Sequence, residues 1–137
     1  MNVLLVEDNH EVSLITVEYL TELGHQALAV TDAESAVAQL AERSFDAVLT
    51  DVSLPGMSGI DLAKELQIKY PDLPVVITSG YGAFNVESML GRRQPNVFVL
   101  PKPFDMPTLQ GTLNQARAFA ESRLGESSDD EMLHARR

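Results

Sequence analysis

The chain has 137 residues, 45% of them hydrophobic, which suits one domain with a single core. Its formal net charge of −10 opposes contact with nucleic-acid phosphates or anionic lipid, and the basic pair Arg92 and Arg93 is too small to reverse that locally. There is no cysteine for a disulfide or thiolate metal site, no apolar run approaches a membrane span, and Met1 leads into a strand-like run rather than a basic, apolar leader, so a cytoplasmic location is expected.

In chain order, Val3 to Val6 reads as a first strand. The helix after it carries Val12, Ile15, Thr16, Tyr19, Leu20 and Leu23 at helical spacing as one inward stripe stopped by Gly24, with Leu14 and Val17 on the opposite side. A second strand, Ala27 to Val30, precedes Thr31 and Glu34, which read as a capping box for a helix through Ala36, Val37 and Leu40. After the third strand, Ala47 to Leu49, Ser58 with Asp61 opens a helix through Leu62, Ala63 and Leu66, ended by Pro71 and Pro74. Val75 to Ile77 is the fourth strand. The helix after it, Ala83 to Leu90, is bracketed by Gly80, Gly82 and Gly91, so mobility is expected there. The fifth strand, Val97 to Leu100, leads to a last helix that begins near Asp105 as a cap, tolerates Pro107 in its first turn and lines up Leu109, Leu113, Ala116 and Ala120. Residues 1–121 then form the domain, and Gly, Ser, Asp and Glu give residues 122–137 the look of a solvated, flexible tail. Runs that are apolar throughout suit strands covered on both faces, and strand alternating with helix five times predicts an α/β protein with a parallel sheet.

In such a sheet ligands bind beyond the carboxyl ends of the strands. Glu7 and Asp8 follow the first strand, Asp51 ends the third, Ser79 follows the fourth, and Lys102 with Pro103 follows the fifth. Taken singly, a Glu-Asp pair is an ordinary turn or cap, and a lone Ser or Lys says less. As a set, three carboxylates at one edge repel unless protonated or neutralised, and hard oxygen donors favour Mg²⁺. With that ion, Lys102 can hold the oxygens of a phosphoryl group while a carboxylate oxygen of Asp51 attacks phosphorus in line and the Ser79 hydroxyl donates to another oxygen.

The segments Val3-Leu4-Leu5-Val6-Glu7-Asp8-Asn9, Asp51-Val52-Ser53-Leu54-Pro55-Gly56-Met57-Ser58-Gly59, Val75-Val76-Ile77-Thr78-Ser79-Gly80 and Lys102-Pro103-Phe104 resemble the four signature blocks of response-regulator receiver domains, over about residues 1 to 121. The resemblance implies a flavodoxin-like (βα)5 open parallel five-stranded sheet, order 2-1-3-4-5, with helices on both faces, an order known from a member of this family. It implies Asp51 as phosphoacceptor, Mg²⁺ bound by Asp8, Asp51 and the backbone carbonyl of Ser53 with Glu7 acting through water, Ser79 as the switch hydroxyl, Lys102 on the phosphoryl group, and a cis bond before Pro103. It also implies a two-component or phosphorelay role: a histidine kinase or histidine phosphotransfer protein as donor, a downstream protein or dimer partner as target, and no enzymatic turnover beyond self-phosphorylation and slow self-dephosphorylation. The position that is often Tyr or Phe in the family is Val99 here, while Phe98 should face the other side of the strand, which puts the aromatic half of the family's switch in doubt. The wording around Thr78-Ser79-Gly80-Tyr81 and Leu100-Pro101-Lys102-Pro103-Phe104 is particularly similar to receivers of hybrid histidine kinases. Ser53 and Tyr81 occupy the positions that flank the path of attacking water; neither is an acid or amide, so slow hydrolysis is expected. On the first helix, Leu14 and Val17 fall where the family receives its helical phosphodonor.

Three other readings fit less well. A phosphatase of the haloacid dehalogenase class would need a second aspartate where Ser53 stands. No glycine-rich or Walker-type phosphate loop follows the first strand. A docking module without phosphorylation would have no use for all five chemical positions.

Overall fold

The computed structural model describes residues 1–80, 83–91 and 94–135, with side chains described through 80, over 85–91 and over 94–124. Strands and helices alternate: β1 (Asn2–Val6), α1 (His10–Glu22), β2 (Gln26–Val30), α2 (Ala33–Glu42), β3 (Ala47–Asp51), α3 (Gly59–Lys69), β4 (Val75–Ser79), α4 (Ala83–Leu90), β5 (Val97–Pro101) and α5 (Met106–Ala135). The five strands form one sheet in the order β2-β1-β3-β4-β5, and every neighbouring pair is parallel.

Successive side chains of a strand point to opposite faces, so each uniformly apolar run feeds two cores. Leu4, Val6, Val48, Val75 and Ile77 pack with Ala36 and Leu40 of α2, Leu62 and Leu66 of α3 and Val86 of α4. Val3, Leu5, Leu49, Val76 and Leu100 face the other way, against Leu20 of α1 and Leu109, Leu113 and Ala116 of α5. Fully burying one of these leucines contributes about 2 kcal/mol, so the two layers together fix the sheet between helices.

The helix ends follow local chemistry. Ser58 Oγ accepts from Asp61 N at 3.1 Å and Asp105 Oδ1 accepts from Thr108 N at 2.9 Å, as the cap signals predict. The expected Thr31/Glu34 box does not open α2; Asp32 is the cap, its Oδ1 accepting from Ser35 N at 2.6 Å. The two pairs have the same spacing one residue apart, and the carboxylate is the stronger acceptor. Gly24, at φ 88°, and Gly91, at φ 82°, take the left-handed conformation just past α1 and α4.

α1 corrects its predicted face. Thr16 and Leu20 are buried, but Ile15 is 50% exposed, and Val17, expected outside, packs half-buried beside Leu20. At 3.6 residues per turn Val17 lies about 60° around the helix from Leu20 and Ile15 about 140°, so Ile15 falls beyond the edge of the buried stripe. Leu14 is exposed as expected, at 54%. α5 continues as helix through the segment 122–135 where composition suggests a tail, and Arg123 ties it to the body by pairing with Asp72 at 2.9 Å. Among the described residues no helix is long and apolar enough to cross a membrane.

Candidate functional site

The strand order sets the site. β1 and β3 are neighbours and both stop at the same edge, so Glu7 and Asp8 from one and Asp51 from the other meet there. One carboxylate oxygen from each lies within 4.8 Å of the others. Glu7 is 4% exposed, Asp51 half-buried and Asp8 exposed, so the cluster runs from interior to solvent.

Lys102 arrives from β5, across the end of β4. Its backbone N–H donates to Ser79 O at 2.9 Å, and the Lys102–Pro103 bond is cis, as the resemblance implies. The ammonium then reaches Glu7 Oε1 at 3.1 Å and Asp51 Oδ2 at 3.3 Å. Burial pushes the Glu7 carboxyl above its usual range, outweighing the Lys102 and Asn9 hydrogen bonds that pull it down; the Asp51 charge adds to the rise. For Lys102 burial acts downward, but the hydrogen bond to Glu7 and the charges of Asp51 and Glu7 overcome it and hold the ammonium above its ordinary value. Ser79 is buried at the end of β4, with its strand partner Pro101 directly before Lys102.

The donor set fits Mg²⁺. All three side chains offer the hard carboxylate oxygens that this ion takes, gathered at one edge of the sheet with the uncompensated negative charge that a divalent cation would offset. Ser53 follows on the exposed β3–α3 loop. Val99 packs half-buried toward the α2, α3 and α4 side, while Phe98 points to the other face and meets Phe119 edge-on at 6.3 Å, as strand alternation predicts. Tyr81, Arg92 and Arg93 lie outside the described residues.

Two residues of the site have no predicted role. Asn9 caps α1, its Oδ1 accepting from Val12 N at 3.0 Å, and its own N–H donates to Glu7 Oε2 at 3.3 Å. An Asn directly before the helical stripe is the cap signal that points to it. Gly59 opens α3 so close to β3 that an added Cβ would lie 1.9 Å from the Asp51 carbonyl oxygen. Beside the carboxylates, Val12, Ile15, Thr16 and Tyr19 of α1 and Lys102, Pro103 and Phe104 line an apolar groove of about 300 Å³.

The family model for the response regulator receiver domain matches residues 3–114. The chain is 39% identical over 130 residues to the response regulator protein FleR of Pseudomonas aeruginosa, covering 93% of this chain and 26% of that one. It is 36% identical over 106 residues to the sensor protein TorS of Escherichia coli, covering 75% of this chain and 11% of that one. It thus spans only a fraction of these relatives, which include both response regulators and sensor proteins. Among solved structures, NtrX of Brucella abortus superposes with a TM-score of 0.82 at 27% identity, over 93% of this chain and 29% of that one. The receiver domain of sensor histidine kinase PA1611 from Pseudomonas aeruginosa, solved with a magnesium ion coordinated in its active-site cleft, superposes with a TM-score of 0.75 at 26% identity, over 85% of this chain and 97% of that domain.

Proposed function

Because the chain belongs to the response regulator receiver domain family, a family of phosphoacceptors in two-component signalling, we propose that Asp51 takes the phosphoryl group here and that Mg²⁺ assists. The observation that carries this reading is the Lys102 ammonium bridging Glu7 and Asp51 inside a cluster of three carboxylates at the carboxyl edge of the sheet. Asp8, Asp51 and the backbone carbonyl of Ser53 would hold the ion directly. Glu7, with both oxygens already engaged by Lys102 and Asn9, would act through water. The coordinated magnesium of the PA1611 receiver supports the same choice of metal.

When bound, the ion supplies positive charge that offsets the carboxylates and the incoming phosphoryl oxygens. An Asp51 oxygen forms the bond to phosphorus as the donor's phosphorus–nitrogen bond breaks, and the departing imidazole takes a proton from solvent. Lys102 exchanges its contact with Asp51 for a phosphoryl oxygen, and the Ser79 hydroxyl donates to another. Val99 gives no aromatic ring to rotate on that signal, so the Ser79 hydroxyl carries the switch. With Ser53, neither acid nor amide, two residues after Asp51, nothing at that position activates water, so the adduct decays slowly and there is no turnover.

The donor is a histidine kinase or histidine phosphotransfer protein, received on exposed Leu14 and Ile15 and the adjoining groove. The phosphorylated form binds a protein target or a second copy. The net charge of −10 opposes direct nucleic-acid contact, and the place of action is the cytoplasm. Incubation with a small phosphodonor and Mg²⁺, read by intact mass, tests the assignment. A base-labile adduct in the parent and none in Asp51→Asn is expected. Catalytic phosphate release, or an adduct on the Asn variant, defeats it.

A further inference from the structure

Glu7 is the most buried carboxylate of the cluster, and each of its oxygens has one donor: Lys102 Nζ at 3.1 Å on Oε1 and the Asn9 backbone N–H at 3.3 Å on Oε2. That N–H is aimed by a cap. Asn9 sits in extended conformation, φ −81° and ψ 115°, because its Oδ1 accepts from Val12 N at 3.0 Å while its carbonyl accepts from Ser13 N at 2.9 Å. One side chain therefore ties the first turn of α1 to the buried carboxylate, and Asp8 is the residue held between the two anchors. Asp8 is the exposed member of the carboxylate group and has the most freedom to lose.

Resting on the reading that these carboxylates hold Mg²⁺, we propose that Asn9 is a positioning residue for that ion: its cap fixes the backbone on which Glu7 and Asp8 face Asp51. The amide is suited to the task because it accepts from the helix N–H without adding a fourth anion to a cluster already under repulsion. A capping residue that acted only on α1 would contribute stability and nothing more. A positioning residue also sets the affinity of the ion, because partners that orient metal ligands govern binding as well as the ligands do.

The test is Mg²⁺ titration calorimetry on the whole chain, at a temperature where every variant is folded by circular dichroism. Asn9→Ala, which removes the acceptor, should weaken Mg²⁺ binding about tenfold, the lower end of what loss of an orienting partner costs. Asn9→Ser, which keeps a capping oxygen, should restore affinity close to that of the parent. Leu113→Ala, a cavity in the core between the sheet and α5, destabilises more than loss of a cap does, far from the edge, and should leave affinity unchanged. Parental affinity in Asn9→Ala, or equal weakening in Asn9→Ser or Leu113→Ala, overturns the assignment while the proposed function stands. A parent that binds no Mg²⁺ overturns both.

Discussion

Glu7 and Lys102 are a pair whose two halves respond to burial unequally. The Glu7 carboxyl is raised above 4.5, chiefly by desolvation, so the folded state takes up a proton more readily than the unfolded chain. Stability from this group therefore falls as pH rises from the unfolded value through the raised folded one, and levels off above it. Lys102 is raised above 10.5, so its contribution is fully present below that pH and lost only as pH climbs through its folded value. Asp32, lowered chiefly by the Ser35 N–H that it caps, and Asp105, lowered by the Thr108 hydroxyl and then its N–H, act in the opposite direction and are lost as pH falls. In EDTA, Glu7→Gln should thus gain stability relative to the parent as pH rises from the ordinary carboxylate value through the raised folded one, the cap carboxylates cancelling in the comparison. A difference in melting temperature that does not change with pH would refute the desolvation account. The acid and the lysine of this pair are legible from their places after strands, but the unequal effect of burial is not, because it depends on how much protein closes over each group.

Gly59 shows what an element demands of one position. Ser58 and Asp61 announce where α3 begins, yet nothing in a cap signal says that the helix starts in backbone contact with the strand carrying Asp51. Gly59→Ala drives a methyl group into the Asp51 carbonyl, so β3 and α3 must separate at the site; a loss of about 2 kcal/mol or more is expected, with slower phosphorylation from a small donor. Unchanged denaturant midpoint and rate would mean the two elements part without cost. Strand existence was readable because both faces of the sheet are covered and every run is apolar. The sequence points to the wrong cap for α2 because Thr31 with Glu34 and Asp32 with Ser35 share one spacing, and it blurs the face of α1 because Ile15 falls just beyond the stripe's edge. That edge has a use: Leu14 and Ile15 are exposed beside the groove next to Lys102. Leu14→Glu should slow transfer from a histidine phosphoprotein severalfold, an effect of about 1 kcal/mol, and leave the rate from a small phosphodonor intact. Equal slowing of both would remove α1 as the docking face.

At the scale of the molecule, strand count and parallel pairing follow from periodicity, whereas strand order came through the resemblance, and the order is what brings Glu7, Asp8 and Asp51 together. The reach of α5 to Ala135 is not legible, since the sequence after Arg123 has no apolar stripe to announce a packed helix. The charge of the whole chain complicates any test of the cation. At −10, salt of any kind screens self-repulsion and raises stability, so a melting shift with Mg²⁺ alone proves little. A site gives a different signature, because an ion that binds only the folded state stabilises by mass action, about 1.4 kcal/mol when it is tenfold above its dissociation constant. The parent should therefore melt higher in Mg²⁺ than in sodium chloride of equal ionic strength. Asp8→Ala should melt higher than the parent in EDTA, relieved of one repelling carboxylate, and gain little from Mg²⁺ beyond the sodium control. If the variant keeps the full magnesium-specific shift, Asp8 is not a ligand; if the parent shows none, the carboxylates hold no ion and Lys102 is their only counter-charge among the described residues.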